Sequence, residues 1–309
     1  MRATDDHPEA RPAFVYPVLF FGVLSFSISA ILVRFAGDMP GLAVAAWRTV
    51  FAVVMLAPYA LPRIVPEVRR FTGRERLLIA GAGVMLGLHF VTWIESLYHT
   101  SVASASVIVS TTPLFLAVFG YWLLRERLSR RVVVSIVLAV TGTALIAWGD
   151  TLGPDRAEGA LFGNGLALAA VLFQCFYMLV GRVVRQKTSW PAYVFPLYTC
   201  AALTTVAVAL IRGVPLFGYD LSIYGLCALM ALFPQLLGHG SFNFALKFFK
   251  AAFLGLLGLT EPVIASILAF FLFDEMPTPV ALTGMTIVLL SVFAVIRSRR
   301  RPPLVEPEM

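Results

Sequence analysis

Charged residues are scarce in this chain of 309 residues. Asp, Glu, Lys and Arg together make up 13% of the sequence, apolar side chains make up 59%, and the mean hydropathy is +0.86. A soluble protein of this length needs a polar surface that this composition cannot supply. The apolar residues also occur in long runs, without the period-2 polarity of barrel strands. Because a membrane-spanning backbone must pair its own polar groups, the sequence predicts an all-α integral membrane protein.

Motifs for catalysis, metal binding and ATP use are missing as well. The chain contains no G-x-x-x-x-G-K-[ST] phosphate loop, no H-E-x-x-H and no G-x-S-x-G. Cys175, Cys200 and Cys227 lie in apolar stretches without C-x-x-C spacing, which is typical of small buried side chains. We therefore expect no catalytic residues, no metal site and no cofactor. An intramembrane enzyme is the less favoured alternative, and a passive channel is disfavoured because no ringed filter is evident.

Long apolar runs separated by Gly and Pro predict ten transmembrane helices. About 20 consecutive apolar residues are needed to span the hydrocarbon core. The first run is too long for the apolar region of a signal peptide, so we expect it to be retained. The predicted helices are residues 14–36, 41–61, 77–97, 101–124, 131–148, 159–181, 190–211, 221–246, 250–273 and 279–296.

Basic residues fall on one side of the bilayer when these helices are threaded from a cytoplasmic N-terminus. Twenty of the 24 Lys and Arg then lie in the tails, 1–13 and 298–309, or in cytoplasmic loops and the helix ends beside them. The opposite loops carry mainly acidic side chains such as Asp38, Asp274 and Glu275. This is the positive-inside pattern, and losing one helix would reverse it downstream. It predicts that both termini are cytoplasmic and accounts for the pI of about 9.6 without a nucleic-acid partner.

An internal repeat relates the two halves. Thr111-Thr112-Pro113 is followed 13 residues after the proline by Glu126, and Thr260-Glu261-Pro262 is followed at the same distance by Glu275. Both features are offset by 149 residues, and chance matching is the alternative. Five helices per half is an odd number, so the second half would enter the membrane inverted, as in transporters with a midplane site. The predicted repeats are residues 14–148 and 159–297.

Polar side chains in the middle of predicted helices identify a candidate central cavity. His89 and Trp93 share a face of the third helix, and Gln235, His239 and Asn243 form a stripe on the eighth. Such groups are costly in lipid and are expected to face the bundle interior, either lining a wet cavity or bonding helices together. The candidate substrate-binding residues are His89, Trp93, Ser110, Gln174, Gln235, His239, Phe242 and Asn243.

Glu261 precedes a proline near the middle of the ninth predicted helix. Three roles are open for it: a proton-coupling site, an anchor for a substrate ammonium, or a structural ion pair with Arg48. Arg48 is likewise a candidate for binding a substrate carboxylate. Pro113 and Pro262 interrupt helical hydrogen bonding and are candidate hinges.

These features resemble the drug/metabolite transporter superfamily of the EamA type over residues 14 to 297. The resemblance is carried by the paired Pro113 and Pro262, by Trp47-Arg48, and by Glu261-Pro262-Val263, which is similar to the family's ninth-helix motif. The first half departs from that motif, because Thr112 replaces the acidic residue before the proline.

The resemblance implies a secondary transporter that works by alternating access in the bacterial inner membrane. Within the family the chain is most similar to bacterial exporters of aromatic amino acids, which implies an amino-acid substrate; another small metabolite or drug is the alternative. The implied partners are a small-molecule substrate and membrane lipid, and no oligomeric state is predicted. The basic run from Arg297 to Arg301 is interpreted as a topology determinant, and contact with anionic lipid is the alternative hypothesis.

Overall fold

The computed structural model describes residues 12–37, 39–100, 105, 108–150, 160–273 and 276–299, and every regular element in those ranges is helical. Most of the predicted cytoplasmic tails, together with Asp38, Asp274 and Glu275, lies outside the described residues. The elements are α1 (Val15–Ser27), α2 (Ser29–Phe35), α3 (Gly41–Arg69), α4 (Gly73–His99), α5 (Thr112–Leu124), α6 (Arg130–Asp150), α7 (Ala160–Val184), α8 (Trp190–Ile211), α9 (Leu221–Met230), a π-helical segment (Ala231–His239), α10 (Gly240–Ala245), α11 (Ala251–Gly258), α12 (Glu261–Phe273) and α13 (Pro279–Arg299).

Seven stretches of the described residues are long and apolar enough to cross a membrane. Two further apolar helices, Ile108–Leu124 and Ala251–Ile264, are shorter. The all-helical prediction is confirmed for the described part of the chain, whereas the count of ten crossings stays a prediction. The seven stretches are Val15–Val33, Gly41–Arg69, Gly73–His99, Leu161–Val184, Trp190–Ile211, Leu221–Ala245 and Pro279–Arg297.

Four of the predicted continuous helices are interrupted among the described residues, including the fourth predicted helix, which is interrupted at Thr111 before α5. The first is divided at Ile28 between α1 and α2, and the ninth is divided at Leu259 and Thr260 between α11 and α12. The eighth contains a π-helical segment around Pro234. Proline cannot donate an i to i−4 hydrogen bond, which allows the chain around Pro234 to adopt the π-helical pattern. Apolar periodicity does not report these local changes.

Two helices extend at least four residues beyond a predicted bound. α4 begins at Gly73 rather than 77 because Thr72 and Glu75 form a capping box, in which the Glu75 amide donates to Thr72 Oγ1 at 3.2 Å. α3 continues to Arg69 through Pro58, Pro62 and Pro66. These prolines are four residues apart and all exposed, so the missing amide donors fall along one outer face while the other faces keep their bonds.

Two pairs of helices at equivalent positions in the two halves have matching boundaries, and two equivalent pairs pack against each other. The bounds of α5 and α12 differ by 149 at both ends, as do those of α6 and α13. α6 packs on α13, where a Cβ added to Gly142 would lie 2.7 Å from the carbonyl oxygen of Gly284. α3 packs on α8, where the Thr49 and Thr205 hydroxyls are 2.7 Å apart. Small and hydroxyl side chains at these crossings allow close approach of the helices.

Candidate functional site

The two candidate histidines lie close together in the middle of the bundle. His89, on α4, donates from Nδ1 to the carbonyl oxygen of Ala170 on α7 at 3.0 Å. Because a carbonyl only accepts, this bond places the Nδ1 proton on His89 and leaves Nε2 as an acceptor in the neutral ring. The ring of His239, in the π-helical segment, has its centroid 6.0 Å from that of His89.

Aromatic rings surround His239. Its Nδ1 is 3.0 Å from the hydroxyl of Tyr177 on α7. Phe26 and Phe90 meet the imidazole edge to face, at centroid distances of 4.7 and 5.0 Å, and Phe26 also contacts Phe242 at 5.0 Å. Edge-to-face arrangements of this kind are favourable for aromatic pairs. The site thus has an apolar, aromatic wall beside its polar groups.

Arg48 is the charged member of the site, and only 1% of its surface is exposed. Its Nε donates to Gln235 Oε1 at 3.2 Å, and its guanidinium lies 4.2 Å from the ring centroid of Phe90. Within the described ranges, no carboxylate lies within 4.0 Å of it. Glu261 attracts it only over a longer Coulombic range. A direct ion pair between Arg48 and Glu261 is therefore not formed in this structure.

Three amide side chains among the predicted site residues have polar atoms without a hydrogen-bond partner in the described part of the chain: Gln174, Gln235 and Asn243. Gln235 is fully buried, and its Nε2 has no hydrogen-bond partner among the residues that the structure describes. The same is true of Gln174 Oε1 on α7. An unsatisfied buried polar group costs about 1–3 kcal/mol. Gln235, which Arg48 contacts, can donate from this Nε2 to a polar solute. We refer to Arg48, His89, Phe90, Tyr177, Gln235 and His239 as the central cluster.

The structure brings together most of the predicted site residues. His89, Gln235, His239 and Phe242 adjoin one another, and Asn243 is buried on α10 directly after the π-helical segment. Ser110 is buried two residues before the start of α5, an element that contributes no other member of the predicted substrate site. Trp93 is half-buried one turn beyond His89, and within the described ranges its ring does not stack on a ring of the cluster.

Three contributors are not singled out by the sequence pattern: Phe26, Phe90 and Tyr198. The Tyr198 hydroxyl donates to the carbonyl oxygen of Gln235 at 2.9 Å, which fixes the backbone of the π-helical segment. The chain has 25 phenylalanines, so an aromatic residue in an apolar helix carries little information by itself. The available signal was the adjacency of Phe90 to His89.

A second polar network closes one end of the bundle, the end predicted to be cytoplasmic. Arg182 donates from Nε to Glu126 Oε1 at 3.0 Å and from Nη1 to the carbonyl oxygens of Leu246 and Lys247. Arg185 donates from Nε to the carbonyl oxygen of Asn243 at 3.1 Å. Burial lowers the pKa of Arg185 to about 10, which still leaves it charged at neutral pH. These contacts join the ends of α5, α7 and α10.

The comparisons with known proteins agree with this architecture. The model of the EamA-like transporter family matches residues 13–148 and, a second time, residues 161–297. This chain belongs to the EamA-like transporter family. The EamA-like chain is 27% identical over 307 residues to human solute carrier family 35 member G1, covering 94% of this chain and 82% of that protein. It is 24% identical over 277 residues to an uncharacterized transporter of Archaeoglobus fulgidus, covering 89% and 93%.

A solved crystal structure has the same fold as this EamA-like chain. The TM-score is 0.79 at 17% identity, with 94% of this chain and 99% of that chain covered. Family and relatives together point to a multi-pass membrane transporter of small solutes rather than an enzyme.

Proposed function

We propose that this protein is a secondary transporter that exports a small carboxylated metabolite, an amino acid and in particular an aromatic one. The observation that carries the proposal is Arg48, a buried guanidinium with no carboxylate partner in the described structure. A buried charge normally has a partner, because removing it from water is costly. A solute carboxylate would supply that partner, accepting from Arg48 and from the unused Nε2 of Gln235.

The surroundings of Arg48 suit the rest of an aromatic amino acid. Phe26, Phe90 and Phe242 provide an apolar wall in which a ring can stack edge to face. Glu261 is half-buried, makes no hydrogen bond or salt bridge within the described ranges, and can attract an ammonium group. The amino-acid preference and the export direction also rest on the resemblance to aromatic amino-acid exporters.

Alternating access would follow from two inverted halves that rock about the central cluster. The repeated family match and the 149-residue offset of helix boundaries support a duplicated chain. The charge pattern supports an inner-membrane topology with both termini in the cytoplasm. Impermeant-reagent labelling of cysteines added to the two tails tests this topology; labelling from opposite sides of the membrane would contradict it.

A phosphorylated or otherwise anionic metabolite is the second candidate substrate. Arginine binds phosphate as readily as carboxylate, in the same two-pronged geometry. Arg48 alone therefore does not distinguish these anions, and the experiment must include both.

The test is efflux from proteoliposomes that contain the full chain and are preloaded with labelled solute. Phenylalanine, tryptophan, threonine, a dipeptide and a sugar phosphate are compared, with and without a proton gradient. We expect the aromatic amino acids to leave fastest. Preferential efflux of the sugar phosphate would select the second candidate, and equal rates with protein-free vesicles for every solute would end the transporter proposal.

A further inference from the structure

The breaks before α5 and α12 have the same local structure. The Thr111 hydroxyl donates to the carbonyl oxygen of Ile108 at 2.5 Å, and the Thr260 hydroxyl donates to that of Leu257 at 2.7 Å. The corresponding backbone amides donate to the same carbonyls, at 3.0 and 3.2 Å. All four residues are related by the 149-residue offset, so the two halves use one hinge design.

Each hinge contains a proline two residues after this threonine, and each proline withholds a donor from the carbonyl four residues before it. For Pro113 that carbonyl belongs to Val109, and the Thr112 hydroxyl donates to it at 2.6 Å. The first hinge is therefore closed by a side-chain hydroxyl that replaces the missing amide. For Pro262 the equivalent carbonyl belongs to Gly258.

Glu261 stands at the position of Thr112 in the second hinge. A carboxylate only accepts hydrogen bonds, whereas a protonated carboxyl can also donate one. Glu261 makes no hydrogen bond to Gly258 or to any other described residue, so the second hinge lacks the closing bond that the first hinge has. The two halves therefore differ in sequence at the residue whose side chain closes the first hinge, Thr112 in the first half and Glu261 in the second.

We infer that Glu261 is a proton-binding site that closes the second hinge: a proton taken from water converts the carboxylate to a carboxyl, whose O–H donates to the carbonyl oxygen of Gly258. Loss of that proton removes the donor and frees α12 to pivot against α11. No bond to carbon forms or breaks, and the proton returns to water when the hinge opens.

The charged surroundings of Glu261 are simple. Arg48, on α3, is the charge that acts on it. α12 packs against α1 and α2; Tyr16 is the one titratable residue of α1, and the basic residue of α2, Arg34, has its side chain outside the described ones. Glu261 is half-buried.

Proton and solute binding would then be linked through Arg48, a step that rests on the proposed function. A solute carboxylate on Arg48 would neutralise the cation that favours the Glu261 anion. A solute that carries a carboxylate but no ammonium group would therefore promote protonation of Glu261 and closure of the hinge, whereas an ammonium group placed at Glu261 would oppose both.

The hinge can be tested without a transported solute. Spin labels at Lys247→Cys and Phe271→Cys, two exposed positions on either side of the hinge, report its angle in the full chain after Cys175, Cys200 and Cys227 are replaced by alanine. We expect the distance distribution of the otherwise wild-type protein to shift between acidic and alkaline buffer.

Three substitutions at Glu261 separate the donor from the charge. Glu261→Gln and Glu261→Thr each supply a permanent donor, so both are expected to hold the acidic distribution at every pH. Glu261→Ala removes charge and donor together and is expected to hold the alkaline distribution. Glu75→Gln, which changes an exposed capping carboxylate to another good capping group, is the matched control and should keep the wild-type pH response.

Identical distributions for Glu261→Gln and Glu261→Ala would overturn the inference, as would a wild-type pH response in Glu261→Gln. Failure of every solute to be transported would sink the proposed function and leave this result untouched, because the distances are measured without solute.

Discussion

At the scale of single residues, Arg48 has an arrangement that favours binding over stability. It is buried, its Nε is used by Gln235, and no carboxylate of the described residues pairs with it. A buried, unpaired charge lowers stability, and replacing it by an uncharged side chain of similar size is often neutral or stabilising. If Arg48 served packing alone, its replacement would lower stability and leave solute affinity unchanged.

Arg48→Gln is therefore expected to unfold in detergent at the same temperature as the wild type or higher, while solute affinity falls. Loss of charge-assisted hydrogen bonds, each about 1.5–3 kcal/mol, should weaken phenylalanine binding by about 10- to 100-fold. Thermal unfolding and labelled-phenylalanine binding measure the two effects. A lower unfolding temperature with unchanged affinity would show that Arg48 is structural.

Tyr177 positions His239 through a single hydrogen bond at 3.0 Å. Tyr177→Phe keeps the ring but leaves His239 Nδ1 without this partner, at a net cost of about 1 kcal/mol. We expect a several-fold loss of solute affinity with the fold preserved. Tyr219→Phe, which removes an exposed hydroxyl bonded to Pro215, is the control and should behave as wild type. Equal solute affinities in the two variants would show that the orientation of His239 by Tyr177 does not contribute to binding.

At the scale of helices, apolar runs and breakers predict where most helices lie, but they do not predict how each helix is interrupted. The divisions at Ile28 and Thr260 and the π-helical segment depend on which backbone groups find partners. Proline marks such places without specifying the outcome: Pro234 lies in a π-helical segment, whereas Pro58 and Pro62 lie in an unbroken α3. Only the three-dimensional hydrogen bonds distinguish these cases.

The crossing of α6 and α13 depends on two glycines that face each other. A Cβ on Gly142 would lie 2.7 Å from the backbone oxygen of Gly284, which cannot move without displacing the helix. Gly142→Ala is expected to lower the free energy of unfolding by about 1–3 kcal/mol. Gly165→Ala on α7, where nothing lies within 4 Å of the added Cβ, should be neutral or stabilising. Denaturant unfolding in detergent compares them, and equal stabilities would contradict the close crossing.

At the scale of the whole molecule, the sequence predicts a membrane transporter and places His89, Gln235 and His239 at one site. It does not predict that Arg48 pairs with Gln235 instead of Glu261, because a helix-by-helix analysis gives no distances between helices. Nor does it predict that Arg182 ties Glu126 to the carbonyls of Leu246 and Lys247. Contacts between distant segments set both the site and the closure of the bundle.

Opening the end held by Arg182 requires its bond to Glu126 to break. Glu126→Gln weakens a charge-assisted bond while retaining an acceptor, so we expect the open state to gain population by several-fold. Thiol-labelling rates at Val184→Cys, a buried position two residues after Arg182, report this opening after the three native cysteines are replaced by alanine. Glu95→Gln, whose partner His99 is on the same helix, is the control. An unchanged labelling rate in Glu126→Gln would show that this contact does not hold the end closed.

The central claim is that Arg48 binds the carboxylate of the transported solute. Efflux of phenylalanine and of phenethylamine, the amine that lacks only the carboxylate, is measured from proteoliposomes with the wild type, Arg48→Gln and the exposed control Arg63→Gln. We expect the wild type and the control to transport phenylalanine at least about tenfold faster than phenethylamine, and Arg48→Gln to lose this preference. Equal efflux of both solutes by the wild type, or an unchanged preference in Arg48→Gln, would contradict it.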